Sequence, residues 1–403
     1  MPFDEVCFMP TGQDDFAAVV ATVRSMYGEG FIPLHRPVFE GHERQYLVEC
    51  IDSNFVSSVG ARVTEFEERV AAFTGARFAV ATVNGTAALH MALHVAGVGP
   101  GDEVITQALT FVATCNAIRY GGAQPVFVDV DQDTLGMGPQ ALRRFLETHA
   151  RRRGGECYNR VTGRRLAACV PMHTFGHPCR IREIVALCDE YGIAVVEDAA
   201  ESLGSWVGER HTGTFGRLGT LSFNGNKVIT TGGGGMIITD DEALAHRARH
   251  VTTTAKQPHA YEYVHDEVGY NYRLPNLNAA LGCAQMERLP EMLAAKREVA
   301  RGYAAFCEGR DWHFVNEPEG ARSNFWFNAF VLGSMDERDA FLEYTNAQGV
   351  MTRPAWRLMH RLEMFKDCQH DGLEHARWLE ERLVNLPSSV PDGALPPVDT
   401  HTS

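Results

Sequence analysis

Residues 78–95 read FAVATVNGTAALHMALHV, in which a short apolar run passes through Asn84-Gly85 directly into a helix-like pattern. The run predicts a buried strand over Phe78–Val83, and the spacing of the apolar residues after it predicts a helix over Thr86–Val95. Buried strands that alternate with helices are joined by helical crossovers, so this pattern indicates a parallel sheet in an α/β fold. The alternation continues to about Gly282, with further strands predicted at Glu103–Gln107, Pro125–Val130, Leu166–Met172 and Ala194–Glu197.

The composition excludes several classes of protein. The chain has 403 residues, 45% of them hydrophobic, which is enough for two or three domains. Its net charge of -14 argues against a nucleic-acid-binding protein, because such proteins normally present a basic surface. The ten cysteines include no C-x-x-C pair, so reduced thiols are expected rather than a zinc ribbon or a disulfide framework. The acidic N-terminus lacks a signal-peptide core and no run of ~18 apolar residues occurs, so we expect a cytoplasmic protein without a membrane partner.

The periodicity divides the chain into three parts. Residues 1–30 form an N-terminal extension with a predicted helix over Asp15–Tyr27. Residues 31–282 form a large α/β domain, and residues 283–403 form a smaller C-terminal α+β domain. Arg151–Arg165 interrupts the alternation, and its arginines favour a solvated loop or hairpin over a phosphate site.

Ligands of open α/β sheets bind beyond the carboxyl ends of the strands, and three polar clusters fall at such ends. The first cluster is Asn84-Gly85-Thr86. The glycine permits a ligand to approach the backbone closely, and the first helical N–H groups suit a phosphate. An ordinary tight turn with a threonine cap explains the same residues equally well.

The second cluster is Glu197-Asp198, followed by Glu201, in the run VVEDAAES. Successive strand residues face opposite sides of a sheet, so one carboxylate could cap a helix while the other faces the ligand crevice. Ionising a buried carboxylate is costly unless a cation meets it. That cation could be a metal or a protonated ring nitrogen.

The third cluster surrounds Lys227 in SFNGNK, residues 222–227. Its neighbours along the chain are asparagines and a glycine, with no carboxylate among them. Burial away from anions lowers the pKa of a lysine, and a neutral amine is a nucleophile that can form a Schiff base. Ser222 offers a hydroxyl for a phosphate. The alternative for Lys227 is a side chain that extends from a strand end into solvent.

Taken together, the three clusters match one cofactor, pyridoxal 5′-phosphate (PLP). PLP carries an aldehyde that needs an amine, a phosphate that needs an anion pocket and a pyridine nitrogen that needs a carboxylate. A carboxylate opposite that nitrogen keeps it protonated, so that the ring withdraws electrons from the Cα of a bound substrate. We therefore predict PLP as the cofactor and no metal.

The sequence resembles the sugar aminotransferases of the DegT/DnrJ/EryC1/StrS family. The resemblance implies the fold-type I PLP architecture, a large domain with a mostly parallel seven-stranded sheet flanked by helices plus a smaller C-terminal α+β domain. It covers nearly the whole chain after about Phe31 and rests on NGTAALHMAL, GDEVITQALTFVATCNAIRYGGAQPVFVDVD, HTFGH, VVEDAAESLGS, SFNGNK and GYNYRLPNLNAALG. More narrowly, IDSNFVSSVG, EDAAESLGS, TTTAKQPH and the N-terminal extension resemble the LegC-type branch, which is tied to bacillosamine- and legionaminic-acid-like sugars.

The resemblance also implies roles for individual residues. Lys227 would be the catalytic Schiff-base lysine, and Asp198 would be the catalytic partner of the pyridine nitrogen. Phe111 would stack on the face of the cofactor ring. Three residues would hold the cofactor phosphate: Gly85, Thr86 and Ser222.

Two further cofactor contacts follow from the same resemblance. Asn271 would reach the phosphate of the neighbouring subunit's cofactor, so the active site would form in a homodimer. Glu201 would lie near the ring hydroxyl, where many family members carry glutamine. A carboxylate at that position would need a shared proton or a shift away from the ring.

Weaker candidates for substrate contacts are His173, Arg353, Trp356 and His360. His173 and His177 have a spacing that metals use, but no third ligand is evident. The motif RPAWRLMH, which contains the other three candidates, could meet the nucleotide or the carboxylate of the amino donor. A surface helix start with a packed tryptophan explains that motif about equally well.

The predicted activity is a ping-pong transamination from L-glutamate to C4 of a UDP- or GDP-linked 4-keto-6-deoxy sugar, which the LegC-type resemblance suggests is N-acetylated. Amination at C3 is an alternative within the family. Family members that dehydrate a deoxysugar carry histidine at the lysine position, and Lys227 argues against them. A PLP-holding regulatory protein without turnover is the alternative from another class, and a spectral change with glutamate alone would distinguish the two.

Overall fold

The computed structural model describes residues 13–397, so the prediction about the extreme N-terminus lies outside the described residues. The α-helices are α1 Gln13–Tyr27, α2 Glu43–Asp52, α3 Ala61–Thr74, α4 Gly85–Val95, α5 Val112–Tyr120, α6 Pro139–His149, α7 Ile181–Tyr191, α8 Glu242–Thr252, α9 Asn276–Cys307, α10 Met335–Ala347 and α11 Glu374–Glu380. The strands are β1 Phe78–Thr82, β2 Glu103–Gln107, β3 Gln124–Val128, β4 Ala150–Arg153, β5 Glu156–Asn159, β6 Leu166–Val170, β7 Ala194–Asp198, β8 Trp206–Val207, β9 Arg210–His211, β10 Leu218–Ser222, β11 Gly235–Thr239, β12 His313–Phe314, β13 Ala321–Arg322, β14 Asn328–Val331, β15 Arg353–Pro354 and β16 Leu383–Leu386.

The large sheet has seven strands in the order β1-β11-β10-β7-β6-β2-β3. Strands β10, β7, β6, β2 and β3 pair in parallel, and β11 is antiparallel to both of its neighbours. The mostly parallel seven-stranded sheet implied by the sequence is therefore confirmed. Its central strands are buried on both faces, as their continuous apolar character requires.

A smaller antiparallel sheet, in the order β12-β14-β16-β15, follows the long helix α9. Helix α9 is continuous from Asn276 to Cys307, so the predicted domain boundary at residue 282 falls inside a helix rather than in a linker. The arginine-rich segment forms the hairpin β4–β5, one of the two structures predicted for it. No helix among residues 13–397 combines the length and apolar character needed to cross a membrane.

Helix α1, from the N-terminal extension, packs against the smaller sheet and helices α9 and α10. Phe16 stacks on Trp312 with ring centroids 5.9 Å apart and meets Phe341 edge-on at 5.5 Å. At the other end of α1, the Tyr27 hydroxyl donates a hydrogen bond to the carbonyl of Ser389, 3.0 Å away. The described part of the extension is thus an integral part of the core beneath the smaller sheet.

The Phe16 contacts predict a large loss of stability on truncation. Phe16→Ala should lower the free energy of unfolding by about 3–5 kcal/mol, because a buried aromatic ring is removed and a cavity remains. Urea denaturation followed by circular dichroism measures the loss. Phe31→Ala is the matched control, since Phe31 is 67% exposed and its truncation should change stability by no more than about 0.5 kcal/mol. Equal stabilities of the two variants would show that α1 does not hold this core together.

Candidate active site

Asp198 ends strand β7 and is buried at the carboxyl edge of the large sheet. Its Oδ2 accepts a hydrogen bond from the Thr114 hydroxyl at 2.7 Å, and its Oδ1 accepts one from the Ala200 N–H at 3.2 Å. Burial raises the pKa of Asp198 above its ordinary value, and these two hydrogen bonds and the charge of Lys227 counteract part of that rise. A cation placed against this carboxylate would favour its ionised form.

Glu197, the adjacent carboxylate, faces away from Asp198 and has a structural role. Its carboxylate oxygens accept hydrogen bonds from the N–H groups of a following loop, at 2.6–2.7 Å, and from the ring of His173 at 3.0 Å. The prediction that the two carboxylates have different environments agrees with this geometry. Glu197 holds loop amides rather than a helix terminus, and these amides belong to Gly213, Phe215 and Gly216.

The start of helix α4 and the end of strand β10 form an anion cradle. The Asn84 side chain caps α4 by accepting a hydrogen bond from the Ala87 N–H at 2.7 Å, so asparagine and not threonine is the cap. A Cβ at Gly85 would lie 2.8 Å from the Cβ of Ser222, so only glycine lets the two elements approach this closely. The free N–H groups of the first helical turn and the Ser222 hydroxyl together suit a phosphate.

Lys227 lies beside a carboxylate, which the sequence analysis did not predict. Its Nζ is 3.3 Å from Oε1 of Glu201 and 3.7 Å from the centre of the Trp326 ring. The indole N–H of Trp326 donates to the Asn226 carbonyl at 2.6 Å, which fixes the ring next to the lysine loop. The expectation of an amine remote from anions is therefore wrong, because the fold brings together residues that are 26 positions apart.

Glu201 is buried and its other oxygen, Oε2, accepts a hydrogen bond from the Phe175 N–H at 2.9 Å. Burial raises the pKa of Glu201 to about 7, although the charge of Lys227 and the Phe175 N–H oppose the rise. Near neutral pH this carboxyl can therefore hold or release a proton within reach of the amine.

These groups surround a cavity of about 650 Å³, a size typical of small-molecule sites. The large domain supplies the anion cradle, Asp198, Glu201 and Lys227. Phe111 lies at the mouth, 48% exposed, with its ring 6.1 Å from that of Trp356. The smaller domain and the segment before α2 supply the remaining wall, whose members are Leu34, Trp326, Phe327, Arg353, Pro354, Ala355, Trp356 and Asn385.

Three predicted residues do not line this cavity. Both ring nitrogens of His173 are used within the protein, since Nε2 contacts Glu197 and Nδ1 accepts a hydrogen bond from the Cys179 N–H at 3.3 Å. His360 lies outside the lining residues, unlike Arg353 of the same motif. Asn271 also lies outside them, in a bridge with Thr253.

The residues present fit PLP. The cradle at Gly85 would be filled by a side chain but has room for phosphate oxygens, and it lies on the same cavity as the Lys227 amine. Asp198 is buried with a raised pKa and faces that cavity, so a protonated ring nitrogen would supply the cation that it lacks. An amine, an anion cradle and a carboxylate thus converge in one cavity.

Sequence reasoning missed two contacts of this site. Thr114 supports Asp198 from helix α5, and Trp326 contacts Lys227 from the segment that leads into β14. Trp326 lies in an apolar run that predicts only a strand, so nothing in its spacing marks it as a site residue. Both contacts join segments that are distant in the chain.

Comparisons with known proteins agree with this geometry. A model of the DegT/DnrJ/EryC1/StrS aminotransferase family matches residues 38–391. The chain is 39% identical over 364 residues to EpsN of Bacillus subtilis (strain 168), a protein named for pyridoxal phosphate-dependent aminotransferase activity, with coverage of 90% of this chain and 91% of that protein. It is 35% identical over 360 residues to GDP-perosamine synthase of Escherichia coli O157:H7, covering 89% and 93%. The crystal structure of the aminotransferase TlmJ from Streptoalloteichus hindustanus superposes with a TM-score of 0.80 at 28% identity, covering 89% of this chain and 94% of that one.

The environment of Glu201 predicts a pH-dependent stability difference. The pKa of Glu201 in the folded protein is about 7, above the ordinary 4.5, so ionisation of this carboxyl lowers the free energy of unfolding. This loss of stability is absent below about pH 4.5 and complete above about pH 7. Relative to Glu201→Gln, ligand-free wild-type protein should lose on the order of 2–3 kcal/mol between these pH values. Urea denaturation of both proteins at several pH values measures the difference.

Subtracting the stability of Glu201→Gln from that of wild type at each pH removes the contribution of the titratable groups that the two proteins share. Glu147→Gln is the control, because Glu147 is exposed on helix α6, and its difference from wild type should stay constant with pH. A pH-independent difference for Glu201→Gln as well would contradict the raised pKa.

Proposed function

The chain belongs to the DegT/DnrJ/EryC1/StrS aminotransferase family, and on that premise we propose that it transfers the amino group of L-glutamate to C4 of a nucleotide-linked 4-keto-6-deoxy sugar. It is a PLP-dependent aminotransferase that acts on nucleotide sugars. The observation that carries the proposal is the convergence of Lys227, Asp198 and the anion cradle on one cavity.

We propose amination at C4 rather than C3, and the GDP-perosamine synthases among the relatives support a nucleotide-linked sugar as the substrate class. We propose a UDP- or GDP-linked substrate. The resemblance to the LegC-type branch supports an N-acetylated sugar of the bacillosamine or legionaminic-acid kind.

Lys227 is the proposed catalytic amine. When bound, PLP supplies an electron-withdrawing ring that stabilises negative charge at the reacting carbon. Nζ of Lys227 takes the proton from Cα of glutamate in the first half-reaction and delivers a proton to C4 of the sugar in the second. A positioned base of this kind typically contributes ~10²–10⁴-fold in rate. Asp198 would keep the ring nitrogen of the bound cofactor protonated, because its buried carboxylate lines the same cavity.

Glu201 is the proposed proton partner of Lys227. Its Oε1 is 3.3 Å from Nζ, and its raised pKa of about 7 lets it share a proton with the amine near neutral pH. This contact gives a physical role to the carboxylate that stands where many family members carry glutamine. The ring face of Trp326 contacts the same Nζ, 3.7 Å from the ring centre, and so helps to position the amine.

Gly85, Thr86 and Ser222 at the start of α4 and the end of β10 would hold the phosphate of PLP, and Phe111 would lie against its ring. We further propose a homodimer in which Asn271 reaches the partner's cofactor phosphate. Large apolar side chains are exposed near this residue and along α2 and the segment after it, as expected of a surface that pairs with a second copy. They are Tyr261, Tyr263, Val264 and Val268 in the first region and Val48, Ile51, Phe55, Val56 and Val59 in the second.

A cytoplasmic location is proposed on the basis of the cysteines. All nine cysteines within residues 13–397 are free, and seven of them are buried as thiols. Free thiols of this number are typical of a reducing compartment. Nucleotide sugars and glutamate are the proposed small-molecule partners, with no nucleic acid or membrane among them.

Replacement of the proposed catalytic amine should abolish both cofactor attachment and turnover. Lys227→Ala protein supplied with PLP should lack the visible absorption of lysine-bound PLP, because no other amine lines the cavity walls described here. Borohydride reduction followed by peptide mass spectrometry should label Lys227 in wild type. Lys366→Ala is the control, since Lys366 is an exposed partner of Glu363 and should behave like wild type. A fully active Lys227→Ala enzyme would remove Lys227 from this role.

The substrate is tested with a panel of UDP- and GDP-linked 4-keto-6-deoxy sugars, with and without an acetamido group, in the presence of glutamate. We expect 2-oxoglutarate and a 4-amino sugar from at least one member, with the position of the new amine read by mass spectrometry and NMR. A 3-amino product would correct the regiochemistry. A spectral change with glutamate but no amino-sugar product from any member would contradict the proposed acceptor.

A further inference from the structure

Two residues of the smaller sheet share one face and line the same wall of the cavity. Arg353 of β15 and Asn385 of β16 are direct cross-strand partners, so their side chains point to the same side of the sheet. Both line the cavity that contains Lys227. Ala329 of β14 is the partner of Asn385 on its other side and offers it no polar group.

The Asn385 side chain has an unused acceptor. Asn385 is only 3% exposed, and its Oδ1 finds no hydrogen-bond partner among residues 13–397. Leaving such a group unpaired in a protein interior typically costs ~1–3 kcal/mol. An aliphatic side chain would complete this face of the sheet without that cost, so packing alone does not explain an amide at this position.

The other asparagines of the cavity wall already have partners. Asn84 caps helix α4, and the Asn224 side chain donates to Oδ1 of Asn226 at 3.2 Å. On the wall opposite the anion cradle, Arg353 carries a charge, and Trp326 donates its indole N–H to a backbone carbonyl. Asn385 is therefore a neutral hydrogen-bonding group of this wall whose Oδ1 has no partner among the described residues.

We propose that Asn385 binds the sugar ring of the acceptor substrate through a hydroxyl or an acetamido group, and so helps to determine which sugar is aminated. This inference rests on the proposed function and extends it by assigning the sugar subsite. A neutral amide complements the neutral hydroxyl and amide groups of a sugar, whereas the carboxylates of glutamate are better matched by a cation such as Arg353. Because the two ends of the amide exchange on rotation of the side chain, Asn385 can accept or donate.

The position of Asn385 supports the sugar over the nucleotide. Asn385 and the reacting amine line one cavity, and the acceptor sugar must enter this cavity for its C4 to be reached. Trp356 and Phe327 on the same wall provide apolar surface of the kind that packs against a sugar ring. A site built to hydrogen-bond a substrate group discriminates strongly against an analogue that lacks it.

Binding measurements with unreactive ligands test this assignment apart from turnover. The PLP-loaded enzyme is titrated calorimetrically with two pairs of ligands, GDP-mannose with GDP and UDP-N-acetylglucosamine with UDP. For each pair we define the sugar ratio as Kd for the free nucleotide divided by Kd for the nucleotide sugar. In wild type we expect tighter binding of at least one conjugate. Asn385→Leu should reduce that ratio by about tenfold, the equivalent of one lost hydrogen bond, and leave Kd for the nucleotide unchanged.

Asn328→Leu is the matched control. Asn328 lies on the neighbouring strand, is equally buried and also has an unpaired Oδ1, but it does not line the cavity, and its Nδ2 donates to Ser388. This variant should lower stability and leave the sugar ratio unchanged. Asn385→Leu should fold at least as stably as wild type, and Asn385→Ala serves in its place if the larger side chain prevents expression.

The sugar ratios of wild type and the two asparagine variants decide whether Asn385 binds the sugar. An unchanged sugar ratio in the Asn385 variants, or no preference of wild type for either sugar conjugate, overturns the inference. A sugar ratio that falls equally in Asn328→Leu would show that the weaker sugar binding comes from a disturbed sheet and not from loss of the Asn385 amide. That result also overturns the inference. If wild type aminates no keto-sugar of the panel yet the ratio falls only in the Asn385 variants, the proposed reaction is wrong and the sugar subsite stands.

Discussion

The carboxyl ends of parallel strands meet along one edge of the large sheet, and the active site depends on this constraint. Strands β7 and β10 are neighbours in parallel register, with Asp198 opposite Thr220, so the acid at the end of β7 lies near the loop that carries Lys227. The start of α4 reaches the same edge because Gly85 permits contact with Ser222. Three chemical groups that are remote in sequence therefore line one cavity.

Burial gives these groups their chemistry. Asp198 and Glu201 are both removed from water, and burial raises the pKa of each. Their hydrogen-bond partners differ, since Asp198 is held by Thr114 and Ala200 and Glu201 by Phe175 and Lys227. These different partners are the basis on which we propose Asp198 as the partner of a fixed cation and Glu201 as a group that exchanges a proton. The smaller sheet closes the cavity opposite them, and helix α1 supports that sheet from behind.

Much of this architecture could be predicted from local patterns. The strands that carry Asn84 and Asp198 are short apolar runs ending in polar residues, and that pattern indicates both the strand and the side of the sheet on which a ligand binds. The structure agrees for the strand at Phe78 and for the helix after Gly85. His173 shows the limit of such reasoning. Its motif lies at the end of a strand like the others, yet its ring is used to hold Glu197 and faces away from the cavity.

The sequence by itself determined the fold class and the cofactor chemistry, and it singled out the residues that we propose as amine, acid and phosphate cradle, because each rests on a local pattern of strand, turn and helix. Only the tertiary structure decided what those groups meet. Glu201 beside Lys227, the indole of Trp326 over the amine and the unpaired amide of Asn385 all depend on how distant segments pack. Electrostatic and hydrogen-bond partners are fixed by distance in space, which the order of residues along a chain does not specify.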